Sequence, residues 1–351
     1  MNTHLRGLRG LGVLCSACLL VALSSQASAQ TSRRFCDPWG LQNRGYYDPL
    51  LADIRGANVS AMVWGRADAF TFTQQPGVRR VWDINVGKEI PIVGCESGSG
   101  NDAPLAEGRW GIGLWTPVSI HMVEDFKDES NPILNTDYRF SGMVKFQRGL
   151  SETWQLGARF QAGHESTHLG DEFSLAGRRV HPDFERVNVS YEYWEYGVSV
   201  DHQTDSDEPH RFVLRYGGIG LFDGEKGYYD SVLLEPPGRR VTKSVNNFEH
   251  SLGFQWIHDR TIPRLGPFGP FVSADLRLRT VYSYHKASDT EPDPTQPSLN
   301  LLVGIRRVER RFLEKGLPDI FFRFYQGVNP NGQFRSQRRY TQYGVGIIVE
   351  L

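Results

Sequence analysis

The chain has 351 residues, a formal net charge of −1, and 23% charged residues. That balance excludes the concentrated basic surface of a nucleic-acid binder. No segment after the N-terminus approaches the roughly 18 uninterrupted apolar residues of a membrane helix, whereas 12% aromatic residues and 37 glycines point to strands and tight turns.

Arg6 and Arg9 precede a mainly apolar stretch from Leu11 to Leu23, and Ala27-Ser28-Ala29 then forms an A-x-A cleavage site. This is the pattern of a secretory signal peptide over residues 1–29, with Gln30 as the mature N-terminus. Residues 30–56 are expected to form an N-terminal periplasmic segment, and residues 57–351 the folded domain. Cys15 and Cys18 leave with the signal peptide. Cys36 and Cys95 remain in an oxidising compartment, so a disulfide between them is expected.

From residue 57 onward the dominant pattern is alternation of apolar and polar residues. A strand in a membrane barrel shows lipid one face and the lumen the other, so apolar residues recur at every second position. Trp110, Ile112, Leu114, Val118 and Ile120 form one such stripe, and Tyr138, Phe140, Val144 and Phe146 another. Trp154 to Ala162, Phe212 to Tyr216, Phe248 to Trp256 and Leu299 to Ile305 continue it. In residues 271–284, Val272, Ala274, Leu276 and Leu278 oppose Ser273, Asp275, Arg277 and Arg279. Tyr343, Val345, Ile347, Val349 and Leu351 end the chain on an apolar stripe, which resembles the terminal strand signal read by the barrel assembly machinery.

Twelve spans are predicted, at about 57–66, 79–93, 109–122, 135–148, 152–167, 184–202, 210–222, 246–259, 270–284, 298–309, 319–329 and 339–351. The fold class is therefore all-β, a single up-and-down antiparallel barrel of the outer membrane of a Gram-negative bacterium. With the C-terminus in the periplasm, the long connections 123–134, 168–183, 223–245 and 285–297 fall outside and the short turns inside. Arg139, Lys145, Arg159, Arg211, Arg215, Arg277, Arg279, Arg306 and Arg323 take lumenal parity, against Asp83, Glu249, Asp275 and Glu350. A filled lumen knitted by ion pairs is the favoured reading; an open pore would use the same charges to select anions.

Two clusters stand out as candidate sites. At the outer end of the fifth span the chain reads Gly163-His164-Glu165-Ser166-Thr167-His168-Leu169-Gly170-Asp171-Glu172. His164, Ser166 and His168 continue the lipid-facing parity. An imidazole beside a hydroxyl makes Ser166 a candidate nucleophile with His164 as its base. Glu185, with the parity of Val187, Val189 and Tyr191, is the candidate orienter. A polar rim without chemistry, contacting lipid or lipopolysaccharide through His168, Asp171 and Glu172, is the competing reading. A metal site is not expected, because His164 and His168 at i and i+4 of a strand stand about 13 Å apart, and no cofactor is implied. The second cluster is Asn329-Pro330-Asn331-Gly332-Gln333-Phe334, which reads as a turn that lines an outer vestibule with Asn329, Asn331 and Gln333.

The His-x-Ser pair is similar to that of two families of outer-membrane lipid hydrolases, the barrel phospholipase A and the lipid A 3-O-deacylase. Thr167 and His168 stand where those enzymes commonly carry an Asn. The whole mature chain resembles a domain-of-unknown-function family of bacterial outer-membrane proteins, through Pro49-Leu50-Leu51-Ala52-Asp53, the box from His164 to Glu172, and residues 329–334. That resemblance implies the fold and the location. Three functions follow as expectations: first a non-catalytic envelope barrel with a largely filled lumen, then a lipid hydrolase, then a narrow anion-selective pore. The expected partners are outer-membrane lipid, lipopolysaccharide and the assembly machinery; nucleic acid is not among them, and the pattern sets no oligomeric state.

Overall fold

The computed structural model of the chain describes residues 34–37, 49–68, 78–97, 107–125, 133–170, 189–204, 210–222, 228–229, 240–241, 248–258, 261, 268–280, 295–308, 318–332 and 339–349. Its strands are β1 (Arg34–Asp37), β2 (Val59–Asp68), β3 (Val78–Ser97), β4 (Trp110–Asp125), β5 (Ile133–Gly149), β6 (Trp154–Leu169), β7 (Val189–Gln203) and β8 (His210–Leu221). These are followed by β9 (Tyr228–Tyr229), β10 (Arg240–Val241), β11 (Phe248–His258), β12 (Phe268–Thr280), β13 (Thr295–Arg307), β14 (Asp319–Gly327) and β15 (Tyr340–Val349). Twelve of them, β2 to β8 and β11 to β15, pair antiparallel with their neighbours in sequence, and β15 pairs with β2 to close the ring. Closure removes every free edge, as a sheet surrounded by lipid requires.

All twelve predicted spans are present. The sixth is described from Val189 and the last to Val349, so residues 184–188, Glu350 and Leu351 lie outside the described residues. The long connections 170–188, 222–247 and 281–294 join strands at one end, the outer end, and the short connections 150–153 and 204–209 join them at the inner end. Outside the ring, β1 pairs with the inner end of β3, which sets Cys36 opposite Cys95; Cys95 is disulfide-bonded.

The outward stripes meet no protein. Phe140 is 60% exposed and Trp64 76%, and Phe160, Leu214, Leu252, Leu276, Val303 and Phe322 are exposed beside them. A water-soluble domain rarely leaves so continuous an apolar surface uncovered, whereas a lipid-facing wall requires one. The inward stripes bury charge. Arg139, Lys145, Arg159, Arg215, Arg277, Arg279 and Arg323 are buried with Asp83, Glu165, Glu195, Glu249 and Asp275.

Residues 49–56, expected to belong to a periplasmic segment, run inside the barrel instead, and 57–58 lead from them into β2. Leu50, Ala52, Asp53 and Ile54 are all buried. Side chains of the wall satisfy the backbone of this plug: the Leu51 N–H donates to Gln255 Oε1 at 2.8 Å and the Ala52 N–H to Ser273 Oγ at 3.0 Å. Asn300 Nδ2 donates to the Ala52 carbonyl at 2.7 Å, and Arg139 Nη1 to the Arg55 carbonyl at 2.7 Å. The reason is charge as well as shape. Asp53 sets a carboxylate between the buried guanidinium groups of Arg277 and Arg159. Ala52 joins Ile257, Phe271, Leu302, Phe321 and Ile348 in an apolar cluster with Leu51 packed on it.

Candidate functional site

Two regions compete as the working part of the molecule, the lumen and the outer rim. In the lumen, Asp53 Oδ1 lies 2.6 Å from Arg277 Nη2, and Asp53 Oδ2 lies 3.4 Å from Arg159 Nη2. Arg277 Nε also meets Asp275 at 2.5 Å, while Arg159 pairs with Glu195. Arg139 joins Glu165 at 3.0 Å, and Lys145 pairs with Glu89. Nearer β2 and β15, Asp83 collects His121 at 2.8 Å, Arg323 at 3.3 Å and Gln342 at 2.8 Å. The cavities between these groups are small. One, lined by Asp53, Arg139, Arg159 and Glu195, holds about 20 Å³ of space open to water. That is room for one or two molecules.

The outer mouth is closed by the second sequence cluster. Gly327, at φ +148°, takes the chain out of β14 in a backbone geometry that side chains disfavour. Residues 328–332 then turn inward and are buried. The Tyr325 hydroxyl donates to the Val328 carbonyl, Asn331 donates to Asn329 Oδ1 from both its backbone N–H and its side chain, and the Gly332 N–H reaches Asp137 Oδ2 at 3.3 Å. Pro330 shares a second small cavity with Ile54 and Arg55 of the plug. The turn expected to line a vestibule with Asn329 and Asn331 therefore caps the lumen; Gln333 lies outside the described residues.

The rim is the second region. β5, β6 and β7 run side by side, and their outward residues form cross-strand rows. Phe140, His164 and Glu192 make one row, and Tyr138, Ser166 and Ser190 the row beyond it. Next toward the inner end come Gly142, Ala162 and Trp194. The imidazole of His164 bridges strands: its Nδ1 lies 3.3 Å from Glu192 Oε1 and its Nε2 lies 3.3 Å from Ser190 Oγ. Ser166 Oγ lies 2.9 Å from His168 Nε2, and Tyr138 meets the His168 ring edge-on at 5.6 Å between centroids. The His164 and Glu192 side chains are 46% and 48% exposed on the outer wall.

Ser166 and His164, expected as partners, thus engage different residues. Ser166 meets His168, its i+2 neighbour on the same face, while His164 turns across to Glu192 and Ser190 of β7. The acidic orienter expected at Glu185 lies outside the described residues, as do Asp171 and Glu172. On β7 itself, Tyr191 and Tyr193 are buried inside the lumen, where Tyr193 lies 4.7 Å under the Arg139 guanidinium. The even-numbered residues of β7 face outward, and they include the two that sequence reasoning missed, Ser190 and Glu192. Their parity with Trp194 and Val198 was the signal that could have found them.

The chain is similar in outline to several solved outer-membrane barrels. It shares 11% identity and a TM-score of 0.48 with outer membrane phospholipase A from Escherichia coli, covering 89% of this chain and 96% of that one. With the translocator domain of the autotransporter NalP from Neisseria meningitidis it shares 10% identity and a TM-score of 0.36, covering 98% of each. With the CymD monoaromatic hydrocarbon channel it shares 8% identity and a TM-score of 0.38, covering 84% and 88%. These likenesses assign no role to any residue of this chain. No curated protein matches it. Residues 28–225, more than half of the sequence, match the family described as protein of unknown function (DUF1207), and the chain belongs to that family.

Proposed function

We propose that this protein resides in the outer membrane as a sealed barrel that conducts no solute and acts through its lipid-facing outer rim. The observation that carries the reading is the plug. Residues 49–56 fill the lumen from within, and Asp53 is held by Arg277 and Arg159. An anion-selective pore needs arginines that face water along a continuous path, whereas here Arg277, Arg159 and Arg139 face carboxylates and the cavity among them has room for one or two waters. Among the described residues, polar groups that can meet a ligand stand at the rim, where His164, Ser166 and Glu192 lie among outward-facing side chains. This favours lipid or lipopolysaccharide as the partner.

The residence has its own support. On β7 the outward residues Glu192 and His202 bracket Trp194, Tyr196, Val198 and Val200. Ten residues of strand span about 33 Å, which a tilt near 40° reduces to about 25 Å, the height of the apolar band of such barrels. Two measurements test the proposal. Cell fractionation should recover the protein in the outer membrane with Gln30 at its N-terminus. Planar-bilayer recordings of the folded protein should give a flat baseline, and large anion-preferring steps would overturn the sealed-barrel reading.

A further inference from the structure

We infer that Ser190, His164 and Glu192 form a catalytic triad on the outer wall of the barrel that hydrolyses acyl esters of outer-leaflet lipid. The inference rests on the membrane orientation proposed above. The two nitrogens of one imidazole face a hydroxyl on one side and a carboxylate on the other, each at 3.3 Å. That is the order needed for a general base: Nε2 takes the serine proton while the carboxylate holds the Nδ1–H and steadies the imidazolium. Resting sites of this kind are often longer than the 2.6 to 3.2 Å of the engaged state. A polar rim without chemistry requires hydrophilic side chains but no particular order among them.

Position selects the substrate. Trp194 and Tyr196, next on the same face of β7, have the character of the aromatic belt that sits at headgroup level. His164 and Glu192 lie one row beyond Trp194, at the edge of the apolar band, and Ser190 lies one row farther out. Immediately inward of His164, the row Gly142–Ala162–Trp194 leaves a furrow in the wall. Nothing stands within 4 Å of where a Gly142 side chain would be, and Ala162 is its cross-strand neighbour. Phe140 and Phe160 flank this strip, which lies two rows inward of Ser190, so an acyl chain lying in it continues past His164 to bring its ester carbonyl to Ser190.

The chemistry balances as two acyl transfers. Ser190 Oγ attacks the ester carbonyl as its proton passes to His164 Nε2, and Glu192 holds the resulting imidazolium as the positioning residue. Ser166 stands directly opposite Ser190 in the ladder. With His168 donating to Ser166 Oγ, the Ser166 hydroxyl proton is left to stabilise the oxyanion. Collapse expels the alcohol of the lipid, which takes the proton from Nε2. Water from the headgroup layer then gives its proton to His164 and attacks the acyl-serine; the Ser190 oxygen leaves and recovers that proton. The net change is ester plus water to fatty acid plus deacylated lipid.

The test uses the full folded protein, with folding monitored by heat-modifiable mobility. One arm presents phosphatidylethanolamine vesicles, the other lipid A in detergent, so the arm that releases fatty acid identifies the lipid source. A fluorophosphonate probe, mapped by mass spectrometry, should add to Ser190. S190A should lose labelling and at least about 10³-fold of the hydrolysis, and H164N about 10² to 10⁴-fold. E192Q should lower kcat with KM little changed, and E192D should restore most of the lost kcat. G142F should raise KM for a long-chain ester about 10-fold more than for a butyryl ester, a gap of about 1.4 kcal/mol. Folded wild type that releases fatty acid in neither arm and takes no label overturns the triad, as does a label on Ser166 or full activity in S190A. If S190A does not fold, the mapped label on the wild type decides. Conductance is read separately, so hydrolysis by a conducting barrel would sink the sealed lumen and leave the triad standing.

Discussion

Asp53 and Arg277, 224 positions apart in the chain, meet inside the barrel with Oδ1 and Nη2 2.6 Å apart and both groups buried. The pair ties a segment that precedes the first strand to the middle of β12, and it makes the plug an integral part of the lumen. A buried pair of this kind adds little over a well-packed apolar one; removing one partner of an isolated buried pair costs about 3–5 kcal/mol, and less here, where Arg277 keeps Asp275 and Arg159 keeps Glu195.

Asp53→Ala should therefore release residues 49–56 while the barrel stays folded. Arg277 and Arg159 then turn to water entering the lumen. Two readouts apply: a cysteine placed at Leu51 should react with maleimide at least about 10-fold faster, and bilayer recordings should acquire conductance steps. A silent D53A protein with an unreactive cysteine would mean that the plug is held by packing alone.

Gly253→Val tests the packing half of the plug. A Cβ at position 253 would stand 2.1 Å from Leu50 Cδ1, with no other atom closer than 3.6 Å. The clash falls on one side chain, and overpacking of this kind costs about 1–3 kcal/mol. The double variant G253V/L50A should recover most of the loss, which a double-mutant cycle on cysteine reactivity at Leu51 measures. An additive cycle would show that Leu50 and Gly253 do not meet.

Leu276→Arg addresses the wall. Leu276 faces outward from the middle of β12, between Leu252 and Leu299 on the adjoining strands. A guanidinium there should cost about 2–4 kcal/mol if the wall faces lipid near the bilayer midplane. Reversible unfolding from vesicles should give that difference; a change below about 0.5 kcal/mol would indicate a water-facing surface.

Cys95→Ser should free β1 and leave the barrel alone, since the described link of β1 to the ring is the four-residue ladder that sets Cys36 opposite Cys95. Peptide mapping without reductant should recover Cys36 and Cys95 in one linked fragment. The C95S protein should lose amide protection at residues 34–37 while its thermal transition stays within about 2 °C; a large drop would mean that β1 supports the barrel.

The sequence alone carried the wall. Side-chain direction in a strand has period two and is a local property, so the stripes through Trp110, Phe140, Leu214 and Val345 were legible without knowledge of any neighbour, and twelve spans followed. The lumenal charges were legible for the same reason. Tertiary closure decided what those charges meet. Pro49 to Asp53 has no alternation and reads as a leader to the first strand; only when β11 to β13 curve around it do Gln255, Ser273, Arg277 and Asn300 converge on that stretch. Closure likewise decided the partners of His164. Which residue of β7 stands beside it depends on the β6–β7 register, and a shift of one residue exchanges Tyr191 for Glu192 and lumen for lipid. Parity along a strand is written in the chain, but pairing between strands is set by how the whole ring closes.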